Sequence, residues 1–241
     1  LERAQELDFK FDSKDIDFLL ETLTNQETVW KKFEGFELLK HLENLYNENP
    51  DYRPNGKRMN RLPDSNGTWK DGSWLVDQRF NSDYTLIFPE QNSVTPLDIG
   101  GDTTAKMVRS WIITNDNGPD SDQYKTELVK LSEGSAEQAD SEKLEAIWRL
   151  MIHDTHKFET DWDIERIEAY QLSICIDQRT YKLNQLLVSG QEDIDLFDEN
   201  THGLKQLNEE EELAEFLHEH FFVPDITQRS GKQIIQAVED M

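Results

Sequence analysis

The residues that come closest to spelling out a chemistry lie in LMIHDTHKFE, residues 150–159, where His153 and Asp154 are adjacent and His156 follows three places later. Neighbouring His and Asp on a helix, joined by ligands from elsewhere, can hold a divalent metal and activate water against a phosphoester. A metal-dependent phosphohydrolase built on His153 and Asp154 is therefore one reading. Helical geometry weighs against it. At about 100° per residue, with Leu144 at zero, Trp148, Met151, Thr155 and Phe158 fall within roughly 40° of one line and His153 lies about 180° away. A regular helix over residues 142–158 would thus turn His153 to solvent. His41 is the sole histidine upstream, on a segment rich in apolar residues. His153 and His156 could together chelate an ion on the surface, at i, i+3 spacing.

Other sets are weaker still. DNGPDSDQYKTE places Asp116, Asp120, Asp122 and Glu127 at the first, fifth, seventh and twelfth positions of a calcium loop. Gly118 then stands where a ligand belongs, and Ser121 where the turn wants glycine. In LHEHFF, the apolar face set by Leu213, Phe216 and Leu217 turns His220 inward and His218 outward, so the two cannot share an ion. Arg53, Lys57, Arg58 and Arg61 form a basic island that could receive a phosphate or an acidic segment. Trp69, Trp74, Phe80, Tyr84 and Phe88 are dense enough for a recognition surface, and read more readily as the core of a small sheet. DIGGDTTAK lacks the spacing of a phosphate-binding loop, and neither a nucleophile elbow nor a paired CxxC occurs. Nothing in these residues requires a cofactor.

Charge narrows the class of partner. Fifty Asp and Glu against 25 Lys and Arg give a formal net charge of −25. Nucleic-acid affinity comes largely from Lys and Arg neutralising phosphate, so direct nucleic-acid binding is disfavoured, as are anionic membrane surfaces. Residues 190–241 hold 14 Asp and Glu against Lys205, Arg229 and Lys232. Within them Glu192, Asp193, Asp195, Asp198 and Glu199, followed by Glu209, Glu210, Glu211 and Glu212, are candidates to meet a protein partner with a basic surface. The expected function is that of an acidic, cytoplasmic protein-binding protein of inhibitor, immunity or assembly-adaptor type. A DNA-mimicking array of carboxylates is a lesser alternative. The single cysteine, Cys175, sits in LSICI as a small buried hydrophobe, which fits a reducing compartment. LERAQELDFKFD lacks the basic-then-apolar order of a signal peptide, and no apolar run approaches the roughly 20 residues of a membrane helix.

The elements that must position these residues read as a helix-rich α+β fold with a small mixed or antiparallel sheet from the central segments. Residues 13–47 predict two helices. The first is capped by Ser13 and striped by Ile16, Leu19, Leu20 and Leu23; the second starts near Gln26 and is interrupted by Gly35. SWLVDQRF and YTLIF predict strands, paired as a hairpin, and MVRSWIIT a strand or short helix. YKTELVKL predicts a short helix and residues 164–188 a strand in which Tyr170, Leu172, Ile174 and Ile176 alternate. QEDIDLFDEN predicts a loop or strand edge. NEEEELAEFLHEHFF predicts a helix capped by Asn208 and stopped by Pro224, and TQRSGKQIIQAVEDM a last amphipathic helix. Polar linkers suggest parts at 1–114 and 124–241, or a single domain spanning both.

Overall fold

A computed structural model describes residues 12–25, 35–54, 61–64, 66–112, 118–133, 140–159, 162–190, 204–208 and 211–227. The chain divides into two compact units, Leu1–Gly118 and Pro119–Met241. It is a helix-rich α+β protein whose described sheets are two-stranded, two antiparallel and two parallel. No helix among the described residues is long and apolar enough to cross a membrane.

In the first unit, α1 (Ser13–Asn25) and α2 (Gly35–Glu48) supply much of the core. Ile16 and Leu20 of α1 and Leu38, Leu39, Leu42 and Leu45 of α2 are buried, as their i, i+3, i+4 spacing requires. The cap of α1 is Asp12 rather than Ser13. Its carboxylate accepts from the Lys14 and Asp15 N–H groups at 2.8 and 3.0 Å, and the Asp15 carboxylate accepts from the Asp12 N–H at 3.0 Å. That reciprocal box satisfies three otherwise unpaired helix-end donors and holds the Asp12 carboxyl below its ordinary range. Val29, Trp30 and Phe33 of the expected second helix lie outside the described residues.

β1 (Arg61–Pro63) and β2 (Trp69–Asp71) form an antiparallel ribbon. β3 (Trp74–Leu75) pairs in parallel with β4 (Ser93–Val94), so the expected hairpin is absent. Tyr84–Ile87 of YTLIF are helical instead, in α3 (Asn81–Ile87), and Phe88 is its C-terminal cap. Asp77 starts a 3-10 turn over Gln78–Phe80 by accepting from the Arg79 N–H at 2.9 Å, and the chain continues directly into α3. Tyr84, Ile87 and Phe88 then share a buried face at helical spacing. Residues 107–112 of MVRSWIIT take the helical option, α4 (Asp102–Met107) running into a π-helical turn at Val108–Ile112, and Ile113 and Thr114 lie outside the described residues. Gly101, at φ 99°, leads into α4, so the glycine pair serves a backbone turn. Trp111 is fully buried, donating to the Tyr52 carbonyl at 3.1 Å with Tyr46 and Tyr52 edge-on to its ring.

The second unit is organised by α5 (Ser121–Ser132) and α6 (Ser141–His153). Asp120 caps α5 in a reciprocal box with Gln123, and Asp140 caps α6. The buried face of α6 is broader than a single stripe, since Ala146, Ile147 and Leu150 are buried along with Leu144, Trp148 and Met151. The single strand expected over residues 164–188 is split. A short helix, α7 (Arg166–Ala169), precedes β5 (Ser173–Ile176) and β6 (Arg179–Lys182), which form a hairpin, followed by β7 (Leu186–Ser189). Tyr170 ends α7 and is not in a strand. The hairpin turns on Asp177 and Gln178, both left-handed at φ 51° and 64°, the geometry that matches strand twist.

β7 pairs in parallel with β8 (Lys205–Asn208) and, through Val188, with Asp225 on its other side. All four β7 residues are buried, as suits a central strand. α8 (Glu212–Phe221) starts after Glu211, whose side chain makes no capping bond; Asn208 is the last residue of β8, and its carbonyl accepts from the Glu211 N–H at 3.0 Å. α8 stops at Phe222, left-handed at φ 62°, two residues before Pro224. The segments 191–200 and 228–241, with their expected loop and final helix, lie outside the described residues.

Candidate functional site

The His153–Asp154 pair marks the end of α6. Asp154 leaves the helical register at φ −97° and ψ 25°, and Thr155–Lys157 tightens into a 3-10 turn. The break separates the two side chains. His153 remains on the outside, while Asp154 is buried with 5% exposure. One Asp154 carboxylate oxygen accepts from the Tyr124 hydroxyl at 2.8 Å and from Lys157 Nζ at 3.0 Å. Lys157, itself nearly buried, also donates to the Pro119 carbonyl at 2.9 Å. This knot ties the start of α5 to the end of α6. His156 is exposed, and the closest His153 nitrogen is 4.0 Å from Asp154. Among the described residues no group of three or more His, Cys, Asp and Glu is arranged to hold a metal ion.

Elsewhere, Asp120 spends a carboxylate oxygen on the Gln123 N–H at 2.8 Å, and Glu127 pairs with Lys130. Asp122 is exposed in the first turn of α5, and Asp116 lies outside the described residues. His220 turns inward against Phe158 and Phe216, with ring centroids 6.2 and 4.9 Å away. His218 is exposed, with Nδ1 2.9 Å from the Val223 carbonyl. Arg53 donates to the Pro50 and Tyr52 carbonyls, and Arg61 lies in β1. Lys57 and Arg58 lie outside the described residues. Trp74 meets Tyr84 and Phe88 edge-on at 6.5 and 5.4 Å, and the latter two are buried. Phe80 is half-buried and Trp69 lies in β2. Of the acidic candidates, Glu211 and Glu212 are exposed at the start of α8. Glu192, Asp193, Asp195, Asp198, Glu199, Glu209 and Glu210 lie outside the described residues.

A groove that the sequence does not announce lies in the second unit, about 680 Å³ in volume. Val129, Ile164, Leu172 and Tyr170 give it apolar walls, and Gln171 and Asn184 contribute amides. Its charged residues are Lys125, Glu133, Glu168 and Lys182. Lys125 is neutralised by Glu168 at 3.1 Å and donates to the Asp163 carbonyl at 3.0 Å. Lys182 Nζ donates to the carbonyls of Ser132 and Gln171 and to Ser173 Oγ, each at 2.8 Å. Those three bonds use every N–H of an ammonium. Among the described residues no carboxylate pairs with Lys182, and burial pushes its pKa down. The cation sits against a carbonyl at the C-terminal end of α5, where the helix dipole favours positive charge. The volume suits a small molecule or the side chains of a docked peptide.

No protein-family model, curated protein or solved structure matches the chain.

Proposed function

We propose that this chain is an acidic protein-binding protein, of the inhibitor, immunity or assembly-adaptor type, that meets a basic partner through a negatively charged surface. The observation that carries the reading is unbalanced negative charge, −25 over the chain. In the second unit Glu133, Asp163, Glu165, Glu211, Glu212 and Glu215 are exposed, and none has a cation within ion-pair distance among the described residues. Exposed charge of one sign accelerates encounter with an oppositely charged protein and discriminates against like-charged ones, while its self-repulsion costs the fold some stability.

The test is capture from the native host on the immobilised full chain at low salt, with the captured protein identified, purified and returned to a binding assay. The expected partner is basic, and its association rate falls steeply as ionic strength rises while dissociation changes little. Recovery of no basic protein at low salt, or association indifferent to salt, sinks the reading.

A further inference from the structure

Two large apolar side chains of the second unit stand in solvent close to the groove, Ile167 at 73% exposure and Phe222 at 45%. Scattered exposed hydrophobes are ordinary and need no explanation. These two are joined through one residue. Ile167 lies on α7 one turn before Tyr170, and the Tyr170 hydroxyl donates to the Phe222 carbonyl at 3.3 Å. Tyr170 also forms a wall of the groove with Ile164, Val129 and Leu172, so Ile167, along α7, and Phe222, through its carbonyl, adjoin the Tyr170 end of it.

Phe222 is the unusual member. At φ 62° it occupies the helix-ending left-handed position that glycine fills without strain. An aromatic side chain there is strained, and strain of this kind concentrates where a side chain is kept for binding. Around the surface three exposed carboxylates, Glu133, Asp163 and Glu165, stand against two cations, Lys182 and Arg166. Lys125 pairs with Glu168, whereas Lys182 and Arg166 keep their charge: the first is held by two carbonyls and a hydroxyl, and the second lies 5.2 Å from the Tyr170 ring and donates to its hydroxyl. Among the described residues Glu133, Asp163 and Glu165 have no cation within ion-pair distance.

We propose that Ile167, Tyr170, Phe222 and the adjoining groove dock an extended segment of the protein partner in which an apolar side chain is flanked by lysine or arginine. The apolar residue enters the groove beside Tyr170, and the flanking cations meet Glu133, Asp163 and Glu165. This rests on the protein-binding reading above and assigns it a place and a partner chemistry.

The experiment measures fluorescence anisotropy of a short labelled peptide alternating leucine and lysine, titrated with the full chain. Two controls replace lysine by glutamate and leucine by serine. The leucine–lysine peptide is expected to bind, and each control to bind about tenfold more weakly or worse. Ile167→Ser and Phe222→Gly each weaken binding by about tenfold, in the range of an interface anchor. Leu97→Ser, at an equally exposed apolar position of the first unit, leaves affinity unchanged. Phe222→Gly keeps or raises the melting temperature, because glycine relieves the backbone, so its loss of binding is not a loss of fold. Equal binding of the glutamate peptide, or unchanged affinity in both Ile167→Ser and Phe222→Gly, overturns the proposal. If a basic partner is captured salt-sensitively while those variants bind it normally, the docking surface is wrong and the function stands. If neither a basic partner nor the peptide binds, both fall.

Discussion

Asp154 and Lys182 are two charges drawn away from bulk water within the same unit, and they are held there by opposite means. Asp154 is met by an opposite charge, Lys157 at 3.0 Å, with the Tyr124 hydroxyl as second donor. Lys182 has oxygen atoms only, two carbonyls and a hydroxyl at 2.8 Å each. An ion pair fails badly when one member is lost, because the survivor becomes a buried, uncompensated charge. A cation held by neutral oxygens fails more gently. Its partners are dipoles, and at the wall of an open groove water can replace part of what they lose.

That contrast orders the expected damage. Asp154→Ala strands Lys157, so it is expected to lower unfolding free energy by about 3–5 kcal/mol, measured by urea denaturation. Lys182→Met leaves the Ser132 and Gln171 carbonyls short of a donor and should cost about 2 kcal/mol by the same measurement. If Lys182→Met proves the more damaging, neutral oxygens are holding that cation more firmly than opposite charge holds Asp154, and the comparison breaks.

Alkaline titration sharpens it further. The folded-state pKa of Lys182 is lowered by burial from the ordinary 10.5, so between the two values the unfolded chain binds more protons. Stability contributed through this group must therefore rise with pH across that window. The rise should vanish in Lys182→Met when denaturation midpoints are compared over the alkaline range. Asp120→Ala, which removes a capping carboxylate from α5, should cost about 1 kcal/mol. Smallest of all, His153→Ala should stay within about 0.5 kcal/mol of the parent. Elemental analysis of that variant beside Asp154→Ala also probes the metal reading: transition metal in the parent, lost from both variants, would restore it.

How far each feature could be read from the sequence depended on the range of the interaction behind it. α1, α5, α6 and α8 repeat their apolar residues at helical spacing, and that local signal carried through. YTLIF misled because five residues are too few to separate strand from helix; the deciding contribution came from Asp77, seven residues before Tyr84, starting the turn that α3 continues. The hairpin break at Asp177–Gln178 had no glycine to mark it. His153 faces outward, as about 100° per residue predicts, whereas Asp154 turns inward because the regular helix ends there and the spacing no longer applies. The groove was invisible for a different reason. The oxygens around Lys182 come from Ser132, Gln171 and Ser173, and no spacing rule joins positions 41 residues apart in the chain.

Cys175 gives the second unit a built-in clock. It is the chain's single thiol, 7% exposed in β5, and its pKa is raised first by burial and then by its contact with Glu145. A thiol both shielded and reluctant to ionise reacts with an alkylating reagent only when its surroundings part. Where closing outpaces reaction, the alkylation rate at fixed pH, divided by that of a free thiol, gives the equilibrium for opening the β5–β6 hairpin away from α6.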